Sequence, residues 1–239
     1  MGVTFSFNGI TMPELSILKE ESRPMIPPIR TQTFGVSNRN GAYLGRQVME
    51  PRVIRIPIGI IHRGFAQLQQ IKEQMAGNFF TDGQAAPLVF SDEPNRVYHA
   101  VLTAGFQSAD ESANYTKGAL EFTCFDPFKY SAVARTVNAG QIFNNGTVAA
   151  LPVVVVRFTS NQTNFFLRDA ITGRELRVNW EFRTGDVLII DSEKRRLTIN
   201  HVLQMSAFDF TSHWPELISG ATHLTASHQA EITFRERWY

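Results

Sequence analysis

The chain holds a single cysteine among 239 residues. One thiol excludes an intrachain disulfide framework and any cysteine-based zinc cluster. An excess of either charge is lacking too. Residues 1–139 carry 13 Lys/Arg against 12 Asp/Glu, residues 140–239 carry 10 against 10, and the net charge is +1. A nucleic-acid binder shows a basic domain or stripe, so no nucleic-acid binding is expected. Long apolar runs are missing. Val153–Val156 is among the longest, far short of the roughly 20 residues that span a bilayer, so no membrane insertion is expected. No basic segment followed by an apolar core opens the sequence, which predicts no signal peptide.

Motifs that carry chemistry are also scarce. There is no Gly-x-Ser-x-Gly elbow, no His-Glu-x-x-His and no phosphate-cradling glycine loop. Asp209, Ser212 and His213 are neighbours in sequence, but a catalytic triad is a spatial arrangement, so that proximity argues nothing. His223 and His228 are five apart, not the four that place two ligands on one helix face. Asp92-Glu93 and Asp110-Glu111 could serve glycoside hydrolysis as carboxylate pairs; adjacent acids in loops read more simply as solvated. The expectation is no enzyme, with no catalytic residue, no cofactor and no metal. Trp180, Trp214 and Trp238 could stack on sugar, but the better reading is burial in a core or an interface.

What is present is strand pattern and turn punctuation. Ile54, Ile56, Ile58 and Ile60 alternate on one face of a strand over 53–61. Pro57 lies on the other face and removes a donor, which predicts an edge strand or a bulge. Phe65, Leu68, Ile71 and Met75 recur at helical spacing and predict one helix over 63–77, packed on a sheet. Residues 13–30 contain four prolines and read as an extended segment without ladders. A hairpin is expected from Thr31 to Met49, turning at Ser37-Asn38-Arg39-Asn40-Gly41, because Asn-Gly supplies the positive φ of tight turns.

From Ala86 to Ser131 come two strand-like runs joined by a polar loop. Leu120, Phe122 and Cys124 form the apolar face of the second, and Asp126-Pro127 ends it. Residues 132–150 have a linker's composition. Beyond them short strands and turns alternate every 8–12 residues, as in an all-β sandwich. The chain therefore reads as mainly β in two domains. Residues 1–139 form an α+β domain with one helix on a sheet, and residues 140–239 form a β-sandwich.

The run Ser-Asp-Glu-Pro-Asn-Arg-Val-Tyr from Ser91, and Leu-Glu-Phe-Thr-Cys-Phe-Asp-Pro-Phe-Lys-Tyr from Leu120, resemble the distal tail proteins (Dit) of long-tailed, non-contractile bacteriophages. Gly185-Asp186-Val-Leu-Ile-Ile-Asp191, Trp214-Pro-Glu-Leu-Ile-Ser-Gly220 and the closing Ile232-Thr-Phe-Arg-Glu-Arg-Trp-Tyr resemble that family's galectin-like second domain. One departure is Ala221-Thr222-His223, where the family often has an Asn-rich turn. The resemblance covers nearly the whole chain. It implies a virion structural protein made in the host cytoplasm: a homo-hexameric ring at the distal end of the tail. Its partners would be the tail tube protein, a tail-tip protein and receptor-binding proteins. Asn38, Arg39, Tyr43 and Arg46 are then the candidate subunit contacts, since Tyr and Arg are enriched at interfaces. The alternative is a stand-alone carbohydrate-binding sandwich.

Overall fold

The computed structural model describes residues 3–18 and 22–239. The chain divides into two units, Met1–Lys129 with Tyr239, and Tyr130–Trp238. The first contains β1 (Phe5–Phe7), β2 (Leu15–Ile17), β3 (Ile29–Phe34), β4 (Tyr43–Met49) and β5 (Arg52–Ile61). It continues with α1 (Phe65–Phe79), β6 (Ala86–Phe90), β7 (Arg96–Glu111) and β8 (Tyr115–Cys124). Six strands form one antiparallel sheet in the order β1-β6-β7-β8-β5-β2, and β3 with β4 forms a separate two-stranded sheet.

The isoleucine alternation of β5 does what its period requires. Ile54, Ile56, Ile58 and Ile60 are all fully buried, and α1 covers that face with Leu68, Ile71, Met75 and Phe79. Phe65, expected on the same stripe, is exposed instead, because the helix begins there and Phe79 closes the stripe at the other end. Five phenylalanines meet beneath the helix. Phe122 lies 4.9 Å from Phe7, 6.1 Å from Phe5 and 6.3 Å from Phe79 between ring centroids, and Phe90 packs on Phe5. Cys124 is buried beside this cluster, and burial pushes its thiol up to about 12, so it acts as a small apolar side chain.

Two local readings change. The proline-rich segment 13–30 does carry a ladder, since β2 pairs with β5 through Leu15↔Ile60 and Ile17↔Ile58. Residues 19–21 of that segment lie outside the described residues. β5 is therefore flanked on both sides over part of its length, although Pro57 sits where β2 has ended. The polar loop between β7 and β8 is mostly strand. β7 continues to Glu111 with three register shifts against β8, and such bulges let a polar run stay paired while bending.

The second unit holds β9 (Lys129–Ser131, entering from the first), β10 (Arg135–Asn138), β11 (Gln141–Asn144), β12 (Val153–Arg157), β13 (Gln162–Asp169) and β14 (Glu175–Phe182). Then come β15 (Val187–Asp191), β16 (Arg196–Ile199), β17 (Val202–Leu203), β18 (Gly220–Ala226), β19 (Ala230–Phe234) and β20 (Arg237–Trp238). One sheet runs β10-β19-β12-β15-β16-β17 and the other β11-β18-β13-β14. Val154, Val156, Leu188, Ile190 and Ile232 from the first face Phe165, Leu167, Leu176 and Val178 from the second in one buried core. This is the expected antiparallel sandwich. The chain divides at Lys129–Tyr130, ten residues before Gly140, and the linker composition of 132–150 conceals β10 and β11. Polar residues suffice there because the strands are short and pair at sheet edges, β10 with β19 and β11 with β18. The departing triplet Ala221-Thr222-His223 lies within β18, paired to β11.

Candidate contact arm

The β3–β4 hairpin stands apart from the main sheet. Its register runs from Ile29↔Met49 to Phe34↔Tyr43, with a shift between Thr31 and Thr33. Every residue of β3 is exposed, and β4 is exposed from Tyr43 through Gln47. A two-stranded hairpin alone is marginal in water. This one compensates at its tip. Tyr43 stacks on Phe34 with ring centroids 5.7 Å apart, and the Arg39 guanidinium lies 4.4 Å from the Tyr43 ring centre. The turn bends through Asn38 at φ +62° and Gly41 at φ +88°, the left-handed region that Asn and Gly tolerate.

Of the residues the sequence singles out, Arg39 and Tyr43 are thus brought together, Asn38 shapes the turn, and Arg46 stands exposed on β4 away from that stack. The pattern also left out residues that matter. Met25 (79% exposed), Leu44 (63%), Phe34 (58%) and Val36 are all open to solvent. Several large apolar side chains exposed within one short segment make this segment a candidate interaction surface. The signal was available: residues 25–49 contain eight large apolar side chains within a segment that no other strand period requires. The same hairpin carries Arg30, Arg39 and Arg46 and no acid, so its partner surface should be apolar and acidic.

The root of the arm is fixed by two arginines. Arg23 forks onto Asp92 at 2.9 and 2.5 Å and covers the Phe90 ring at 4.4 Å. The hydrogen bond from Arg23 holds the Asp92 carboxyl below its ordinary value. Arg52 is fully buried at the start of β5. Its Nη1 donates to the Pro24 carbonyl at 2.7 Å and its Nε to the Pro127 carbonyl at 3.0 Å, while Nη2 has no hydrogen-bond partner among the described residues. One guanidinium therefore ties the segment entering the arm to the segment leaving β8. Arg52→Met will leave two carbonyls short of a donor. Each such loss costs about 1–3 kcal/mol, partly offset because a buried cation is removed. Amide hydrogen exchange should quicken at 22–28 and 125–128 together while β5–β8 amides hold; acceleration of only one segment contradicts the shared tie.

The other candidates dissolve into ordinary structure. Ser212 Oγ is held by the Arg177 backbone, and Asp209 accepts from Thr211 and Asn179, so no triad forms with His213. Asp92 and Glu93 pair with Arg23 and Lys129, and Glu111 pairs with Lys72; the Asp110 side chain lies outside those described. His223 is opposite Gln141 on β18, and His228 packs on Phe158. Trp180 and Trp214 pack on the sandwich core, Trp214 stacking on Phe208 at 4.7 Å. No three His, Cys, Asp or Glu among the described residues are placed to hold a metal ion.

Two family models match the chain in sequence order. Residues 10–124 match the phage tail protein RIFT-related domain, and residues 145–238 match the siphovirus-type tail component, C-terminal domain. The chain belongs to the distal tail protein family of siphophages. Within that family it is 30% identical to the distal tail protein of Bacillus phage SPP1 over 159 residues, which is 64% of this chain and 62% of that protein. The crystal structure of SPP1 Dit, described as a paradigm of the hub adsorption apparatus in phages infecting Gram-positive hosts, superposes over 100% of both chains. Its TM-score is 0.86 at 20% identity. A chain of the phage P2 baseplate, in its activated conformation with calcium, aligns over 99% of this chain and 98% of its own, with a TM-score of 0.50 at 10% identity. At those identities the structural likenesses speak for the fold.

Proposed function

We propose that this distal tail family member is a structural hub and not a catalyst. Six copies close into a ring at the distal end of a siphophage tail. One face of the ring joins the tail tube protein and the other holds the tail-tip protein, while the C-terminal sandwich meets receptor-binding proteins. The protein is made in the host cytoplasm and ends in the virion. The observation that carries this reading is the free-standing, apolar and basic β3–β4 arm. A surface of that kind is satisfied by a second copy of the chain, and head-to-tail contacts that close by rotation make rings. Asn38, Arg39, Tyr43 and Arg46 lie in that contact, joined by Phe34 and Leu44. A stable contact of this sort needs roughly 1,000 Å².

Light scattering on the purified chain, alone and mixed with tail tube protein, tests the reading. A hexamer in either condition supports it. A monomer in both, with saturable binding to host cell-wall saccharide, overturns it in favour of a carbohydrate-binding sandwich. The expected saccharide titration is flat, because Trp180 and Trp214, two of the tryptophans that could stack on sugar, are engaged in packing on the sandwich core.

A further inference from the structure

We propose that Asn40, at the tip of the arm, is a site of spontaneous deamidation, singled out by the fold from three Asn-Gly pairs. The pairs are Asn8-Gly9, Asn40-Gly41 and Asn145-Gly146. The reaction needs no cofactor. The backbone nitrogen of the glycine attacks the asparagine Cγ, a C–N bond forms, the Cγ–Nδ2 bond breaks, and ammonia leaves with a proton. Water then opens the resulting succinimide at either carbonyl and yields aspartate or isoaspartate. The step therefore requires a free carboxamide, a free glycine N–H and a backbone able to swing.

Asn145 falls short on all three requirements and Asn8 on the last. At Asn145 the carboxamide donates to Glu236 at 2.6 Å, and the Asn145 amide donates to the same carboxylate at 3.2 Å. The Gly146 N–H is already given to Asn144 Oδ1 at 2.9 Å. Gly146 is also wedged, since a Cβ there would lie 2.4 Å from the Arg237 carbonyl oxygen. At Asn8 the residues on either side lock the turn, Phe7 N–H to the Ile10 carbonyl at 3.0 Å and the reverse at 2.9 Å. Both Asn8 and Gly9 are held in the left-handed region at φ +52° and +75°. Of these restraints Asn40 shares only the left-handed glycine, Gly41 at φ +88°. It is exposed, its side chain makes no hydrogen bond among the described residues, and nothing lies within 4 Å of a Cβ built on Gly41.

The product matters because of where it forms. A carboxylate at position 40 is ionised at neutral pH, and it adds the first negative charge to a hairpin that carries only arginines between Ile29 and Met49. The isoaspartate route also inserts a methylene into the backbone of the turn that holds Arg39 over Tyr43. Deamidation thus lowers the charge of the arm and loosens its tip in the same event. Conversion is slow while another surface covers the turn, which makes its rate a reporter of whether the arm is occupied. The proposal itself rests on the exposed turn and not on the ring reading.

The test is peptide mapping by mass spectrometry of the intact native chain aged in mildly alkaline buffer, following the gain of about 1 Da at each asparagine. Asn40 is expected to convert at least about tenfold faster than Asn145, the factor that one lost charge-assisted hydrogen bond converts to. Asn8 should fall between them. In the Asn40→Gln variant the gain at position 40 should vanish, because the longer side chain closes the ring poorly. Equal rates at Asn40 and Asn145, or no gain at Asn40 after Asn8 has converted, overturns the proposal. Ageing the chain within assembled tails separates the two readings. Slower conversion there supports occupancy of the arm, and an unchanged rate upholds deamidation while counting against the arm as a contact.

Discussion

Protein carrying Tyr43→Ala and Arg46→Ala together will assemble much more weakly than the parent chain and unfold at the same temperature. Tyr43 is the middle of the stack from Phe34 to Arg39 at the tip of the arm, and Arg46 is a cation on the same exposed strand. Truncating an aromatic or arginine anchor at an interface costs about 2 kcal/mol or more, which is roughly thirtyfold in affinity for each contact. A closed ring repeats every contact around the axis, so the loss compounds. Neither side chain enters the buried cluster of the N-terminal unit, and surface changes of this kind stay within about 0.5 kcal/mol of stability. Dilution series by light scattering, paired with thermal melts, separate the two effects. A ring that persists unchanged in the double variant removes the arm from the contact. Because Phe34 forms the base of the same stack, Phe34→Ala alone should weaken assembly in the same direction.

Phe122→Ala will produce the opposite pattern, a protomer that loses stability first and assembly only as a consequence. Phe122 is fully buried, and its ring meets Phe5, Phe7 and Phe79. Phe5 and Phe7 lie on β1 and Phe79 on α1, so this one side chain of β8 joins both to its own strand. Removing it forfeits the transfer free energy of the ring and leaves a cavity that rigid neighbours cannot fill. Such changes cost about 3–5 kcal/mol, a large share of the roughly 5–15 kcal/mol that holds a domain folded. Chemical denaturation should show a lower midpoint for the N-terminal transition, while the transition of the sandwich, which has its own core, stays in place. A midpoint shift equivalent to under about 1 kcal/mol would mean that the cluster repacks around the gap.

The comparison of these two residues shows what can be read from a linear pattern. Phe122 was legible because Leu120, Phe122 and Cys124 alternate with polar residues, and period two in a strand has one meaning. The isoleucines of β5 and the stripe of α1 were legible for the same reason. Tyr43 was reached by its turn, Asn-Gly, and by its residue type, not by any period. The strands of 132–150 were missed because short edge strands need few apolar residues. The continuation of β7 to Glu111 was missed because bulges break the alternation that identifies a strand. Arg52 was invisible as well: nothing in its neighbours says that an arginine will be buried with two carbonyls for company.

By itself, the order of residues determined that this is a two-part, mainly β protein that holds together without disulfide bonds, with one helix over a sheet and a sandwich after it. Periodicity and turn chemistry are local properties, and a chain expresses them wherever it lies. Only the tertiary structure decided that the β3–β4 hairpin stands alone with its apolar side chains in water, and that Arg52 ties its root to the exit from β8. Those are facts about which distant segments fail to meet and which do, and such pairings arise from packing in three dimensions, to which spacing along the chain is blind.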